Sequence, residues 1–192
     1  MNVIVIMVDT LRWDHLGYNQ QFQVKTPNID RFAARATKFD RALCASFPTI
    51  PIRTDCFTGN VNFPRYGWKR LGDEEVIMTE LLRDAGYHTG LVLDTTNMIS
   101  SNFPRGFHDF HRTANSPPDK PGPEDIPFPV PKENIRQEGR QYLRQMADMA
   151  HFEHEQDWFV AQTMTTAAQW LEDFWSAKIS VVLVFWEDLG YS

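Results

Sequence analysis

Two short segments of the sequence bring together a carboxylate, a hydroxyl and a guanidinium at spacings suited to chemistry on an anion. Asp9 directly follows the apolar run 3–8, and Thr49 is followed four residues later by Arg53. A carboxylate is a natural oxygen ligand for a hard cation, and a hydroxyl beside an arginine has charge support for nucleophilic attack. We expect these three side chains to form part of one site for an oxyanion.

The second segment must be helical if its hydroxyl and arginine are to meet. Thr49 two residues before Pro51 is the pattern of a helix start, which predicts Thr49 as the N-cap of a helix over about 51–58, ended by Gly59. A hydroxyl at that end lies in the positive field of the helix. Arg53, one turn further on, can turn back toward the same anion. A threonine cap alone is more often structural than functional, so the prediction depends on the combination.

The first segment must be a strand that ends at Asp9. The β-branched, apolar run 3–8 predicts a central strand of a parallel sheet, buried on both faces. A helix over 74–85 and a second strand over 88–94 follow, and this β-α-β order places the turn 94–97 at the same sheet edge as Asp9.

The remaining segments are predicted from periodicity and composition. Thr26 is predicted to cap a helix over 27–36, and Asp73 to cap the helix over 74–85. The helix 154–175 is expected to be long and packed on the sheet. Its apolar stripe comprises Trp158, Ala161, Met164, Ala168, Leu171 and Trp175. Further predictions are a loop over 60–72, a proline-rich surface excursion over 113–131 and a helix over 133–150.

The composition limits the classes of partner. The chain has 192 residues, 42% of them hydrophobic, and a net charge of −6, which favours one globular domain and argues against nucleic-acid and anionic membrane partners. Two cysteines, Cys44 and Cys56, make no disulfide framework and suit a reducing compartment. The first apolar run lacks a basic flank and is too short for a signal peptide, so a cytoplasmic location is expected.

The spaced motifs resemble those of the sulfatase branch of the alkaline phosphatase superfamily. Its signature, Cys or Ser-x-Pro-x-Arg followed by four residues and Thr-Gly, is matched in spacing by 49–59. The segment 8–17 resembles the family's first metal-binding turn, and further similarity runs through 26–33, 81–89 and 105–107. The resemblance implies an α/β fold, the alkaline-phosphatase-like three-layer sandwich with a mainly parallel sheet, incomplete at the C-terminus. Residues 1–192 are then the N-terminal portion of that catalytic domain.

The resemblance also implies roles for individual residues. Asp9 becomes a ligand of one divalent metal (Mn²⁺, Ca²⁺ or Mg²⁺), and Thr49 becomes a nucleophile that also touches the metal. Arg53 stabilises the nucleophile and the transition-state charge. Asn97 stands nearest the position where relatives carry histidine or lysine, and is the expected substrate-binding residue. Thr10 replaces a second aspartate of many relatives, which suits a single metal. The implied substrate is a small-molecule sulfate or phosphate ester.

Thr49 departs from the family pattern in a way that bears on the substrate. Its β-methyl blocks the oxidation that converts the family's Cys or Ser to formylglycine, so no formylglycine is expected. The register that uses Ser46 lacks the arginine, and Cys44 lies four residues from Pro48, so both are rejected. A phosphothreonine can still be attacked by metal-activated water. A sulfated threonine cannot release its sulfate by collapsing to an aldehyde, as formylglycine does. A phosphodiester or phosphonate ester is therefore favoured over a sulfate ester.

The C-terminal end departs from the pattern as well. After the apolar run 181–186 the sequence ends without the family's distal Asp and His ligands. An alternative is therefore a truncated, catalytically inactive chain that binds anions weakly. We also expect the run 181–186 to form an unpaired hydrophobic edge that favours aggregation. A third class, an interaction module built on the proline-rich segment, has only composition behind it.

Overall fold

The computed structural model describes the chain in ranges separated by gaps. The described residues are 2–9, 11–19, 24–63, 67–94, 97–113, 131–134, 149, 152–174 and 180–186, with the side chains of Asn97, Lys132 and 180–186 excluded. Most of the predicted proline-rich excursion and of the predicted helix 133–150 therefore lies outside the described residues. Residues 132–134, within the part that is described, form a short 3-10 turn.

A parallel sheet of four strands is the centre of the described structure. The strands are β1 (Val3–Val8), β2 (His88–Leu93), β3 (Asp109–Arg112) and β4 (Ser180–Trp186). Their order is β1-β4-β2-β3, and every neighbouring pair is parallel. The predicted strands after the N-terminus and after Tyr87 are confirmed, as is the mainly parallel sheet.

The C-terminal run occupies a different place from the one expected. β4 pairs with β1 on one side and with β2 on the other, with Leu183 in register with both Val5 and Leu91. The prediction of an unpaired hydrophobic edge at 181–186 is wrong, because this strand returns between two strands formed earlier in the chain. Its continuous apolar composition is typical of a central parallel strand.

The prediction that β1 is central and buried on both faces is also wrong. β1 ends the described sheet, and Ile4 and Ile6 are 47% and 55% exposed. Val5 and Met7, on the opposite face, pack against the main core. Ile4 and Ile6 are exposed because β1 lies at the end of the described sheet. The helix over 159–174, which covers this face of β2 and β4, does not extend over β1.

Helices cover both faces of the sheet. The described helices are α1 (Pro27–Ala33), α2 (Thr49–Thr58), α3 (Met78–Asp84), α4 (Asn97–Ser100) and α5 (Phe159–Phe174), of which α1 has no buried residue. On one face, Ile50 and Phe57 of α2 pack with Leu91 and Leu93 of β2. On the other face, Val92 packs against Ala167 and Trp170 of α5. The alternation of Leu91, Val92 and Leu93 thus builds the three layers.

Two predicted helix caps are wrong. α2 starts at Thr49, with Pro48 as its N-cap, since the backbone N–H of Ile52 donates to the carbonyl of Pro48. α3 starts at Met78 after an extended Ile77, and Asp73 instead pairs with Arg70. Gly59 ends α2 with φ +71°, as predicted, because a left-handed C-cap favours glycine.

The apolar face of α5 is rotated slightly from the predicted stripe, of which Met164 and Leu171 still pack against the core. The buried residues are Thr163, Ala167 and Trp170, while Ala168 is exposed and Trp158 precedes the helix. The indole of Trp170 donates to Asp109 of β3 and fixes the rotation. α5 is the longest described helix, and none of the helices in the described ranges has the length and hydropathy needed to cross a bilayer. The expected cytoplasmic location stays a prediction.

Candidate active site

Asp9 and the start of α2 lie at the carboxyl edge of the sheet. Asp9 is the first residue after β1, and Thr49 is the first residue of α2. Open parallel sheets bind ligands at this edge, and a helix N-terminus there adds a positive field. The fold therefore brings together the carboxylate and the hydroxyl that the sequence singled out.

One carboxylate oxygen receives both partners. The hydroxyl Oγ1 of Thr49 donates to Oδ2 of Asp9 at 3.2 Å. The guanidinium nitrogens Nη1 and Nη2 of Arg53 reach the same oxygen at 3.5 and 3.4 Å. These distances exceed the 2.7–2.9 Å or so of a closed charge-assisted fork, so the three groups surround Oδ2 loosely.

Arg53 is the more deeply buried member of the pair. Its side chain is 1% exposed, against 25% for Asp9. Burying a guanidinium is costly unless an opposite charge compensates its desolvation, and Asp9 provides such a charge. The site therefore has a fixed positive charge inside and a carboxylate that reaches solvent.

A cavity of about 400 Å³ opens beside these three residues. Its polar lining consists of Asp9, Ser46, Thr49 and Arg53. Its apolar lining consists of Met7, Val8, Cys44, Phe47, Pro48 and Ile52. A volume of this size falls within the range of small-ligand sites.

The loop that precedes α2 is held by hydrogen bonds. The thiol of Cys44 donates to the carbonyl of Ser46 at 2.7 Å, and the hydroxyl of Ser46 accepts from the backbone N–H of Phe63 at 3.0 Å. Ser46 is 2% exposed. These contacts hold the backbone just before Phe47, a residue that is 75% exposed. Sequence reasoning assigned no role to Phe47.

The turn after β1 holds its own ion pair. Arg12 contacts both carboxylate oxygens of Asp14, at 2.9 and 2.5 Å, and Nδ1 of His15 lies 2.9 Å from Oδ1. The hydrogen bond from Arg12, and then that from His15, hold the pKa of the Asp14 carboxyl well below its usual value. Asp14 is thus an ionised carboxylate engaged within its own turn.

One expected site residue, Asn97, is not tested by these contacts. Asn97 starts α4 just past the end of β2, at the same sheet edge as Asp9, but its side chain is outside the described part. Since β4 lies between β1 and β2, the two strand ends are about 10 Å apart. Thr10 lies outside the described residues. The substrate contact of Asn97 stays a prediction.

A divalent cation fits the donor chemistry only in part. The Asp9 carboxylate and the Thr49 hydroxyl are oxygen donors of the kind hard cations prefer. Among the described residues, no group of three His, Cys, Asp or Glu side chains could hold a metal ion. The expected metal ligands Asp9 and Thr49 are adjacent, and the rest of a ligand set is not found in that part of the chain.

A second polar cluster lies at the opposite edge of the sheet. Nε2 of His88 is 2.5 Å from Oδ2 of Asp109, and Nε1 of Trp170 donates to the same oxygen at 3.0 Å. The His88 ring stacks on His108 and Phe174, with centroids 4.8 and 4.4 Å away. Sequence reasoning missed His88 because a strand-initial histidine has no distinctive spacing.

The sheet, its helical layers and the site at its carboxyl edge define an alkaline-phosphatase-like fold. The sequence matches the Sulfatase family over residues 1–171. The chain therefore belongs to the sulfatase family, and the resemblance given by its motifs is confirmed.

The individual relatives are longer proteins. The chain is similar to steryl-sulfatase of Homo sapiens, with 31% identity over 105 residues, covering 47% of this chain and 18% of that protein. It is also similar to N-acetylgalactosamine-6-O-sulfatase of Bacteroides thetaiotaomicron, with 32% identity over 104 residues, covering 47% of this chain and 19% of that protein. The matched part thus spans about a fifth of the length of these relatives.

A solved structure shows the same fold over almost the whole chain. The phosphonate monoester hydrolase of Agrobacterium radiobacter superposes with a TM-score of 0.59 and 16% identity, covering 96% of this chain and 40% of that one. A second structure, solved with its substrate D-glucosamine-2-N,6-O-disulfate, has a TM-score of 0.51 and 23% identity, covering 57% of this chain and 22% of that one.

Proposed function

We propose that this chain carries the nucleophile half of a metal-dependent ester hydrolase, and that the ester is a phosphodiester or phosphonate ester. The observation that carries the proposal is the hydrogen bond from Thr49 to Asp9 Oδ2, with Arg53 at the same oxygen. This arrangement brings the Thr49 hydroxyl, the Asp9 carboxylate and the buried Arg53 guanidinium together at the N-terminus of α2.

Asp9 and Thr49 are the residues that would hold the divalent cation. Such a cation supplies Lewis-acid stabilisation of phosphoryl oxygens and lowers the pKa of a bound water. Asp9 keeps the hydroxyl of Thr49 oriented through its hydrogen bond. Arg53 supplies positive charge at the same oxygen of Asp9.

The reaction is a double displacement. Oγ1 of Thr49 attacks phosphorus as its proton passes to solvent, the bond from phosphorus to the leaving oxygen breaks, and the alcohol departs with a proton. Water then attacks the same phosphorus, the bond to Oγ1 breaks, and the hydroxyl of Thr49 regains its proton. Arg53 and the N-terminus of α2 stabilise the charge on the non-bridging oxygens in both steps.

Threonine is the reason to prefer phosphorus over sulfur. A formylglycine hydrate releases its sulfate by collapsing to the aldehyde, and a threonine ester has no such route. Because relatives have sulfated substrates, a sulfate ester is the competing substrate class for this chain. The likeness to a phosphonate monoester hydrolase supports the preferred one.

The test compares three aryl substrates in the presence of Mn²⁺. The chain is assayed with bis(4-nitrophenyl) phosphate, 4-nitrophenyl phosphate and 4-nitrophenyl sulfate, as wild type, Thr49→Ala and Thr49→Ser. We expect the diester to be hydrolysed fastest, the alanine variant to lose at least about 10³-fold in kcat/KM, and the serine variant to retain activity.

Three results would contradict the proposal. A faster sulfate ester would overturn the choice of substrate, and an unaffected Thr49→Ala variant would overturn the nucleophile. If no substrate is hydrolysed but inorganic phosphate binds to both wild type and Asp9→Ala without metal, the chain is the inactive anion-binding form expected as the alternative.

A further inference from the structure

The cavity beside Thr49 is larger than the anion it would hold. Its volume is about 400 Å³, while a water molecule in the liquid takes about 30 Å³. A tetrahedral oxyanion has only five heavy atoms, so most of the cavity is left for the organic group of an ester. The lining of that remaining space then decides which organic group is accepted.

The lining separates into a polar and an apolar part. Asp9, Thr49 and Arg53 contact one another at one side, as described above. Cys44, Phe47 and Ile52 line the rest, and we call these three residues the apolar wall. The remaining polar side chain, Ser46, is 2% exposed and its hydroxyl accepts a hydrogen bond from Phe63. The wall itself brings no charge to the cavity.

Phe47 is the outstanding member of the wall. Phe47 is 75% exposed, although the residues on either side of it are held in place. Ser46 is held by its hydrogen bond with the backbone of Phe63, and Pro48 is the N-cap of α2. An exposed ring on a fixed backbone loses little conformational freedom when a ligand covers it. A planar apolar partner gains both buried area and ring contact there.

We propose that the apolar wall binds the organic group of the ester and selects an aromatic one, with Phe47 as the specificity-determining residue. This inference rests on the proposed function, because it assumes that the anion lies at Thr49 and Arg53. Phe47 and Thr49 line the same cavity, so an aryl group attached to the anion can contact the ring of Phe47. Phe47 contacts the organic group, while the reacting atoms lie beside Asp9, Thr49 and Arg53.

The test uses two phosphonates that share the anion and differ in the organic group. Phenylphosphonate and methylphosphonate are titrated by calorimetry into the 192-residue chain with Mn²⁺ present. Phe47→Ala is compared with Phe63→Ala, a matched control whose ring is 49% exposed but does not line the cavity. Both side chains are exposed, so neither change removes a core contact.

We expect wild type to bind phenylphosphonate roughly five- to tenfold more tightly than methylphosphonate. Phe47→Ala should reduce that ratio to about twofold or less while leaving methylphosphonate affinity unchanged, and Phe63→Ala should keep the ratio. Equal affinities in wild type, or a ratio that survives in Phe47→Ala, would overturn the inference and leave the proposed function standing. If neither phosphonate binds, the anion site fails and the inference falls with it.

Discussion

Thr49 Oγ1 lies 3.2 Å from Asp9 Oδ2, across a sequence separation of 40 residues. β1 delivers the carboxylate to the edge of the sheet, and Pro48 takes the N-cap of α2. Because Pro48 and not Thr49 caps the helix, the Thr49 hydroxyl is available to the carboxylate. Thr49, which the sequence predicted as the N-cap, can therefore use its hydroxyl in the proposed reaction.

Two substitutions of Arg53 should distinguish the contribution of its charge from the contribution of its packing. Arg53→Met removes the buried cation and leaves Asp9 uncompensated, so we expect a loss of about 1–3 kcal/mol in the free energy of unfolding and of roughly 10²-fold or more in kcat/KM. Arg53→Lys keeps the charge and should lose less in both. Urea unfolding and diester hydrolysis measure the two effects. If the methionine and lysine variants behave alike, charge is not what Arg53 contributes.

Acid should weaken the contact between Asp109 and its neighbours. Burial alone would raise the pKa of Asp109, but hydrogen bonds from His88 and Trp170 outweigh it and the net pKa is lowered. A group with a lowered folded pKa stabilises the protein above its unfolded pKa of about 3.9, and that contribution is lost as pH falls through the folded value.

The measurement is the stability difference between wild type and Asp109→Asn at several pH values. We expect about 1 kcal/mol at pH 5.5, shrinking at lower pH as wild-type Asp109 is protonated. The matched control is Asp84→Asn, which alters an exposed aspartate paired with the adjacent Arg83. A difference that stays constant from pH 5.5 down to pH 3 would show that the carboxylate charge is unimportant.

Gly90 should tolerate no side chain, because Trp170 occupies the space. A Cβ at Gly90 would lie 2.6 Å from Cζ2 of the indole. We expect Gly90→Ala to destabilise the protein by about 1–3 kcal/mol through overpacking. Combined with Trp170→Leu, the alanine should cost less than it does alone. Strictly additive losses in urea unfolding would contradict this account of the packing of β2 on α5.

Alkylation should inactivate the site through Cys44 and not through Cys56. Cys44 lines the cavity beside Thr49, whereas burial, and then the neighbouring Asp55, raise the pKa of the Cys56 thiol and slow its reaction. We expect iodoacetamide to abolish diester hydrolysis in Cys56→Ser. It should leave Cys44→Ser at its own untreated rate. Inactivation of Cys44→Ser would place the sensitive group elsewhere.

Much of the site could be predicted from local sequence, and much of the sheet could not. The strand before Asp9, the helix around Arg53 and the turn at Gly59 follow from composition and from residues a few positions apart. The place of β4 between β1 and β2 does not, because strand order depends on contacts between segments almost the whole chain apart. The edge position of β1 and its exposed Ile4 follow from that order.

The same limit explains two further errors, the rotation of α5 and the start of α2. The rotation of α5 depends on Trp170 meeting Asp109 and Gly90, which no helical period reveals. The start of α2 depends on the backbone of Pro48, since Thr49 fits either the cap or the first turn by type alone. Phe47 and His88 gain their interest only from neighbours distant in sequence.

The most direct test of the account is to trap the covalent intermediate. The chain is mixed with bis(4-nitrophenyl) phosphate and Mn²⁺, quenched in acid within the first turnover, digested and analysed by mass spectrometry. We predict a nitrophenylphosphoryl group on Thr49 in wild type and none on that peptide in Thr49→Ala. Release of nitrophenol with Thr49 unmodified, or a phosphoryl group on Ser46 instead, would contradict Thr49 as the nucleophile.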